Sequence, residues 1–428
     1  MACSEVIENM IVDVLIFLIG LLVYAGYGWA GMAYLAAAVL LSYGTALLAK
    51  KAPWLTWVWI ALNGAMLLML KLQPVTGLSL LAPMGISYFT LQIISYNVDV
   101  CRGKHEPERN LFRYALFVTY IPHLFIGPIE RYPSMNRALN DRRITWDGIF
   151  EGAARAVWGL LKKYVIAARL GIIVSAISAA PDKYQGAYAL AAMLMYSLQL
   201  YSDFSGGIVM VLGLSRMLGI TMSENFDVPY LSESFREFWR RWHMTLGSWL
   251  REYVYIPLGG NRKGKLRKLL NTVITFLVSG LWHGVEYLLW GLINGIFVAV
   301  GDSLKTKWKT VNRVGTFLLV TFLWSFFVWP DMVTALKMVG SMFTAFNYGD
   351  FAMQIGTMGL TLGDWLVLAA AVVGLWVYDL RKGSFRTWFA GRCPAVKTAL
   401  ICALGLIVLV FGVYGIGFNA EAFIYSRF

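Results

Sequence analysis

Two of the four histidines stand in surroundings where an imidazole could transfer protons. His243 belongs to "FWRRWHMTLGSWLREYVYIPLGGNRKG", residues 238–264, and His283 belongs to "LVSGLWHGVEYLLWG", residues 277–291. An imidazole with an ordinary pKa of about 6.5 suits acid–base catalysis near neutrality. Burial among the tryptophans around His283 would favour the neutral form, which accepts a proton. We treat both histidines as candidate catalytic residues, and a satisfied interhelical hydrogen bond is the alternative for each.

The other two histidines have simpler interpretations. His105 lies in the charged stretch "RGKHEPERN", residues 102–110, which predicts a hydrophilic loop and a solvated side chain. His123 lies late in an apolar run beside two prolines. We expect His123 to be a hydrogen-bonded structural residue.

Polar residues within apolar surroundings are further candidates for a ligand site. Asp203 interrupts the run "LYSDFSGG", and Asn225 precedes the charged segment in "SENFDVPYL". Asp203 would either orient a histidine or an arginine, or cap a broken helix. The turn "PLGGNRKGKLRK" contains Asn261, Arg262 and Lys263, and its backbone amides and cations could hold phosphate. The alternative for this turn is a cytoplasmic loop that sets the membrane topology.

The composition points to lipid as the solvent of these segments. Hydrophobic residues make up 58% of the 428 residues and charged residues only 14%, whereas soluble domains carry about 25% charged residues. Apolar runs of roughly 18 or more residues recur, and about 20 helical residues cross a bilayer core. We predict an all-α polytopic membrane protein with ten to twelve crossings, folded as one integral domain over residues 1–428. The candidate spans lie near 11–29, 31–49, 54–72, 78–99, 111–129, 153–179, 187–219, 271–300, 313–329, 363–380 and 396–417.

The net charge is +13, and basic residues form several clusters along the chain. We assign these clusters to short connecting segments, where they suit cytoplasmic loops and anionic lipid headgroups rather than nucleic acid. The clusters are Lys162–Lys163, Arg262–Lys268, Lys305–Lys309 and Arg381–Lys382. No P-loop, no serine nucleophile motif and no spacing for a metal site is present in the sequence.

The charged segment itself is predicted to be one helix. Ser234 and Glu237 fit a capping box, and an aromatic stripe at helical spacing runs from Phe235 to Tyr253. Pro257 and the glycines after it end the pattern. Arg236, Arg240, Gly247 and Arg251 share a second face on a helical wheel. Because charge at the bilayer centre is costly, we place the helix at the interface or tilted into a water-filled cavity. Residues 133–148 are predicted to form a hydrophilic loop.

Several of these motifs, in this order, resemble the membrane-bound O-acyltransferase family. The stretch "ENFDVPYLSESFREFWRRWHMTLGSWLREYVYIPLGGNRKG" followed by "SGLWHGVEYLLWG" carries the strongest likeness. The likeness extends to "APMGISYFTLQIISYNVDVCRG", "GPIERY", "YSDFSGG" and the closing "FIYSRF", so it covers most of residues 80–300 and the tail. The chain looks most like the bacterial branch that O-acetylates alginate and peptidoglycan. The continuation "EYVYIPLGGNRKG" favours that branch over the similar D-alanyl transfer proteins of teichoic acid modification.

This resemblance implies a fold and a reaction. The fold would be a ring of about eleven membrane helices around a central tunnel, with interfacial or re-entrant helices. His283 matches the family's near-invariant histidine, and His243 matches the second position. Trp242, Trp282, Arg240, Asp203 and Asn225, with the basic turn at Asn261–Lys263, would line the tunnel or bind the donor.

The expected function is transfer of an acyl group, with acetyl favoured, from a cytoplasmic thioester to a hydroxyl of an extracytoplasmic cell-wall polymer or exopolysaccharide. The donor would be acyl-CoA or an acyl carrier protein, used as a co-substrate without any permanently bound cofactor or metal. An exported acetyltransferase partner and a multi-pass location in the cytoplasmic membrane are also expected. The alternatives are D-alanyl transfer to teichoic acid and, in another class, a transporter of polysaccharide precursor or lipid.

Overall fold

The computed structural model describes residues 2–77, 80, 82–301, 305–345, 349 and 351–414. Within these ranges the chain forms twenty α-helices. The closing motif "FIYSRF", residues 423–428, lies outside the described residues. The helices are α1 (Ala2–Gly26), α2 (Trp29–Leu47), α3 (Pro53–Lys71), α4 (Gln73–Thr76), α5 (Ile86–Cys101), α6 (Leu111–Thr119), α7 (Ile121–Phe125), α8 (Tyr132–Asn140), α9 (Trp146–Leu160), α10 (Ala168–Ser178), α11 (Ala187–Met217), α12 (Phe235–Arg241), α13 (Met244–Leu250), α14 (Gly264–His283), α15 (Leu288–Val300), α16 (Lys309–Trp324), α17 (Met332–Thr344), α18 (Phe351–Gly356), α19 (Leu362–Ala390) and α20 (Pro394–Phe411).

Six helices among the described residues are long and apolar enough to cross a bilayer: α1, α2, α3, α16, α19 and α20. Their large apolar side chains face outward, as Leu22 and Trp29 show with 73% and 75% of their surface exposed. Such contiguous exposed apolar surface suits acyl chains rather than water. The prediction of an all-α polytopic membrane protein is confirmed, while the number of crossings stays a prediction.

The chain divides into two compact units that interleave along the sequence. Unit 1 comprises Met1–Ile144, Leu218–Glu224 and Thr245–Gly291, and unit 2 comprises Thr145–Met217, Asn225–Met244 and Leu292–Phe428. The predicted single domain over residues 1–428 stays a prediction. His283 belongs to unit 1 and His243 belongs to unit 2.

In unit 1, helix α5 is buried along almost its whole length and organises the core. Its Tyr96 ring lies 4.6 Å from the ring of Tyr114, with further aromatic side chains packed around them. Its backbone carbonyls also accept hydrogen bonds from two indoles: Leu91 O from Trp249 Nε1 at 2.9 Å and Ser87 O from Trp282 Nε1 at 3.2 Å. Helix α5 therefore positions the tryptophan that precedes His283.

In unit 2, helix α9 packs against α11 through small residues. A Cβ on Gly152 would lie 2.5 Å from the Gly213 carbonyl oxygen, and one on Gly159 would lie 2.5 Å from that of Gly206. Glycines at these positions let the two backbones approach closely, as they do between membrane helices. Helix α9 continues through a π-helical segment, Leu161–Ala167, into α10.

Three sequence-based expectations about connections are wrong. Residues 133–148 are not one loop, because α8 covers Tyr132–Asn140, with Pro133 in its first turn and Met135 and Leu139 buried. The expected span 111–129 is interrupted at Tyr120, before Pro122. Finally, the pairs Lys162–Lys163 and Arg381–Lys382 lie inside long helices rather than in connecting segments. The loop at residues 102–110 is confirmed.

Candidate active site

The helix predicted around His243 is broken at the histidine. Helix α12 ends at Arg241 and α13 begins at Met244. Between them His243 has φ +47°, in the left-handed region, and Val228 is the only other non-glycine residue with positive φ in the described part of the chain. Apolar residues continue at helical spacing on both sides, so periodicity alone cannot report the interruption. Left-handed conformations of bulky residues are strained and concentrate at functional sites.

A short hairpin of backbone hydrogen bonds maintains this break. Asp227 N donates to Arg241 O at 3.0 Å, and Met244 N donates to Asn225 O at 3.0 Å. Phe226 and Trp242 form an antiparallel bridge between these bonds. The segment that contains Asn225 thus runs beside the break and supplies the backbone partners that a continuous helix would have supplied.

The structure brings His243 and Asn225 together. Nδ1 of His243 lies 3.3 Å from Oδ1 of Asn225, and its ring packs edge-on against Phe204 at 4.9 Å. An oxygen acceptor at Nδ1 holds the proton on that nitrogen and leaves the lone pair on Nε2. His243 is 4% exposed, and burial lowers its pKa to about 3. The imidazole is therefore neutral at physiological pH.

Trp242 belongs to an aromatic cluster next to the histidine. Its ring lies 5.0 Å from Phe226, 5.4 Å from Phe238 and 5.2 Å from Trp324. Trp242 itself is 4% exposed. The cluster fills the space beside the break with rigid rings; a tunnel-lining role for Trp242 stays a prediction.

The helix start is as expected, although the capping box is incomplete. Ser234 Oγ accepts from Glu237 N at 3.2 Å, as an N-cap does. The Glu237 carboxylate accepts from Glu233 N at 2.9 Å instead of from the amide of Ser234. The carboxylate also pairs with Arg241 at 2.7 Å.

The arginines do not form the single basic face that a continuous helix would give. Arg236 donates to Val298 O at 3.0 Å, at the end of α15, and so has a structural partner. Arg240 is exposed, and Arg251 is exposed on the π-helical segment Arg251–Tyr255 that follows α13. The interruption at His243 separates the residues before it from Arg251.

Asp203 has a different partner from either expected one. Helix α11 is continuous through Asp203, so the residue caps no broken helix. Its Oδ1 accepts from Nζ of Lys163 at 2.6 Å, and both side chains are largely buried. The expectation that Asp203 orients a histidine or an arginine is therefore wrong: it neutralises a lysine of the π-helical segment.

His283 lies at the C-terminal end of α14, within a half-open aromatic frame. Its ring lies 4.8 Å from Trp282 and 5.9 Å from Trp290, both nearly perpendicular to it. Its backbone oxygen accepts from Lys71 Nζ at 3.4 Å. The side chain is half-buried. This combination supports the imidazole on two sides and leaves part of it accessible.

Two glycines allow the tight return of the chain after His283. A Cβ on Gly280 would lie 2.5 Å from Tyr287 O, and one on Gly291 would lie 2.5 Å from Phe276 O. Larger residues at either position would push the two helical segments apart. The repeated glycines in the sequence around the Trp-His pair therefore have a packing reason.

The basic turn is exposed and is supported by a residue that sequence reasoning missed. Asn261, Arg262 and Lys263 are all exposed. Asn271 is fully buried and donates through Nδ2 to Gly260 O at 2.8 Å and to Leu258 O at 3.2 Å. An asparagine in the first apolar turns of α14 was the available signal. The predicted end of the charged segment near Pro257 is confirmed, since the π-helical segment ends at Tyr255.

The other histidines divide as follows. His123 is fully buried, with Nδ1 2.9 Å from Nε2 of Gln92, which confirms its structural role. His105 is half-buried against the rings of Tyr96 and Tyr132, at 5.6 and 5.8 Å, so the expectation of a solvated side chain is wrong.

The described chain is thus an α-helical membrane protein with two Trp-His pairs, one at a strained helix break and one at a helix end. The sequence pattern of the membrane-bound O-acyltransferase family matches residues 104–344, more than half of the chain. The chain belongs to this family. The match includes every candidate site residue, and it ends before α19 begins.

Individual relatives are similar over much of the chain. A probable alginate O-acetylase of Pseudomonas syringae pv. tomato is 39% identical over 329 residues, covering 75% of this chain and 62% of the relative. A peptidoglycan O-acetyltransferase of Helicobacter pylori is 32% identical, covering 62% of this chain and 57% of the relative. A teichoic acid D-alanyltransferase of Streptococcus thermophilus is 30% identical, covering 58% and 64%. The chain spans less than two thirds of the length of each of these relatives.

Proposed function

We propose that this protein is an O-acyltransferase that moves an acetyl group from a cytoplasmic thioester to a hydroxyl of an extracytoplasmic cell-wall polymer or exopolysaccharide. The single observation that carries the proposal is the family match across both Trp-His pairs. Acetyl is favoured over D-alanyl because the alginate O-acetylase is 39% identical and the D-alanyltransferase 30%. The membrane would be the cytoplasmic membrane, where a thioester donor is available on one side.

The chemistry assigns one role to each histidine. The acceptor hydroxyl attacks the thioester carbonyl carbon, a C–O bond forms, and the C–S bond breaks. His283 removes the hydroxyl proton as general base and returns a proton to the leaving thiolate. Its half-open aromatic frame supports this assignment, because a base must reach its substrate. His243, neutral and held by Asn225, orients a reactant or passes the proton.

The donor and partner assignments extend this proposal. The exposed cations at Arg262 and Lys263, beside the glycine turn, would attract the phosphates of coenzyme A or of a carrier-bound phosphopantetheine. Arg240 would add to this attraction. The acceptor would receive the acetyl group directly or through an exported acetyltransferase partner.

The test measures thioester turnover by the purified protein in lipid nanodiscs, with labelled acetyl-CoA and a polysaccharide acceptor. The assay is run with and without membranes that contain the exported acetyltransferase partner. Acetyl transfer to the acceptor is the expected result. His283→Ala should lower the rate by about 10²- to 10⁴-fold, the usual contribution of a general base. His105→Ala is the control, because it also removes an imidazole but lies in the loop at residues 102–110, outside both Trp-His pairs. Wild-type turnover in His283→Ala would overturn the assignment.

D-alanyl transfer is the second candidate, supported by the 30% identical teichoic acid D-alanyltransferase. The same assay with a D-alanyl-loaded carrier protein distinguishes it from acetyl transfer. Binding of polysaccharide precursor without consumption of either thioester would instead indicate a transporter.

A further inference from the structure

A network of polar side chains in unit 2 lies against the segment that supports His243. Its members come from three elements: Lys162 from the π-helical segment, Tyr201 from α11, and Asp379 and Lys382 from α19. Helix α19 is one of the six apolar helices long enough to cross a bilayer. Ionisable residues within such a helix are rare and usually functional, because their burial in lipid is costly.

Lys382 contacts the segment directly. Its Nζ donates to Phe226 O at 3.4 Å and lies 3.7 Å from Oδ1 of Asp227. Asn225, Phe226 and Asp227 are the residues that form the hairpin beside the helix break. Lys382 therefore contacts the same three-residue segment whose amide, carbonyl and side-chain groups hold His243.

The remaining members hold Asp379 next to Lys382. Asp379 lies three residues before Lys382, on the same side of α19. Its Oδ2 accepts from the hydroxyl of Tyr201 at 2.8 Å, and the ammonium of Lys162 lies 4.4 Å from the centre of the Tyr201 ring. Lys162 is only 3% exposed and lies within the π-helical segment, rather than in the connecting segment expected from the sequence. The network thus joins α19, α11 and the π-helical segment next to the Asn225–Asp227 segment.

We propose that Lys382, supported by Asp379 and Tyr201, is a positioning residue that keeps the Asn225–Asp227 segment, and through it the His243 imidazole, in the conformation needed for acyl transfer. This inference rests on the proposed function. A left-handed histidine persists only when its surroundings hold it there, and Lys382 supplies a contact from outside the hairpin. Helix α19 lies beyond the residues that match the family pattern, so this support comes from a part of the chain that the family pattern does not describe.

The test compares Lys382→Ala with Arg381→Ala. Both variants remove one positive charge from neighbouring positions of α19, but Arg381 is exposed. Lys382→Ala should lower kcat by roughly 10- to 100-fold, because small displacements of catalytic groups have effects of this size. The KM for the thioester should not change, since positioning of His243 acts after the donor binds. Arg381→Ala should keep wild-type kcat.

Two further readouts separate positioning from a general loss of folding. Lys382→Arg should restore most of kcat, because its guanidinium keeps the charge and can donate to Phe226 O. Amide hydrogen exchange should become faster over residues 225–244 in Lys382→Ala, while α9 and α11 keep wild-type protection. Wild-type kcat in Lys382→Ala would overturn the proposal whatever the exchange shows, as would loss of protection throughout unit 2.

Measuring His243→Ala in parallel distinguishes this proposal from the proposed function. Wild-type kcat in His243→Ala would remove the catalytic role of that histidine and, with it, the reason for positioning it. A large loss in His243→Ala with no loss in Lys382→Ala would leave the proposed function standing and overturn the positioning role alone.

Discussion

The two Trp-His pairs share a sequence pattern but are held in place by different physical means. His243 is buried in a strained conformation, and its surroundings come from residues 225–227, more than a dozen positions upstream. His283 is half-buried at a regular helix end, with its ring contacts and glycine packing supplied by residues 280–291. The side chain of His243 depends on one upstream segment, whereas the ring contacts of His283 come from its neighbours in sequence and only its backbone oxygen and the Trp282 indole have distant partners, Lys71 and Ser87. Similar dipeptides can therefore need very different support.

This difference agrees with separate roles for His243 and His283 in the proposed reaction. Nδ1 of His243 lies 3.3 Å from Oδ1 of Asn225, which orients the buried ring. The rings of Trp282 and Trp290 pack against His283, and the rest of its side chain is accessible. We expect His283 to contact the reacting hydroxyl and His243 to act as a neutral, fixed group.

The largest expected effect comes from the two histidines, removed singly and together. If they act on one reacting carbonyl, the double variant His243→Ala/His283→Ala should lose about as much activity as the worse single variant, roughly 10²- to 10⁴-fold. Steady-state acetyl transfer in nanodiscs measures all three variants. Strictly multiplicative losses would show that the two residues contribute independently.

Removal of the Asn225 side chain should have the next largest effect on kcat, and it tests the non-local support of His243. Asn225→Ala removes the acceptor for Nδ1, and kcat should fall by about 10- to 100-fold, since orientation of the imidazole is lost. The matched control is Asn140→Ala, because Asn140 is exposed at the end of α8. Wild-type kcat in Asn225→Ala would indicate that the hairpin backbone alone orients His243.

Asn225→Asp adds a pH dependence with a definite sign. A carboxylate next to the imidazole stabilises the imidazolium, so the pKa of His243 rises from its burial-lowered value of about 3. The imidazole of the variant becomes protonated at a higher pH than in the wild type. Acetyl transfer by Asn225→Asp should therefore fall at a higher pH on acidification, which a pH–kcat profile measures. Superimposable profiles would contradict the requirement that His243 is neutral.

Gly280→Ala tests the local support of His283 through stability. The added Cβ meets Tyr287 O at 2.5 Å, so the helical return must open, at a cost of about 1–3 kcal/mol typical of overpacking. Gly374→Ala is the control, because a Cβ at that position meets nothing within 4 Å. Thermal unfolding in detergent measures both variants. Equal midpoints would mean that the return is not tightly packed.

The smallest expected effect is at the basic turn. Asn271→Ala leaves the buried Gly260 carbonyl and the partly buried Leu258 carbonyl without this donor, which costs about 1–2 kcal/mol. If the turn binds the donor phosphates, the KM for acetyl-CoA rises while kcat changes little. Thr272→Ala is the control, because Thr272 bonds only within its own helix, to Lys268 O. An unchanged KM in Asn271→Ala would argue against donor binding at this turn.

Much of the fold was predictable because the underlying signals are local. Apolar runs indicated α1, α2, α3, α16, α19 and α20, and Ser234 indicated the start of α12. The error at residues 133–148 arose because the short helix α8 buries only three side chains, which leaves its sequence mostly polar. The aromatic stripe misled for the opposite reason, since it continued through the break at His243.

The sequence alone was enough to establish an α-helical membrane protein, to locate both Trp-His pairs and to identify the basic turn, because periodicity, charge and motif order are all read from neighbouring residues. Only the tertiary structure decided that the backbone of His243 is left-handed and that Asp203 neutralises Lys163. It also decided that Lys382 of a distant helix contacts the Asn225–Asp227 segment beside His243. These features depend on hydrogen bonds and burial between residues far apart in the chain, and no local pattern records which distant partner satisfies a strained or charged group.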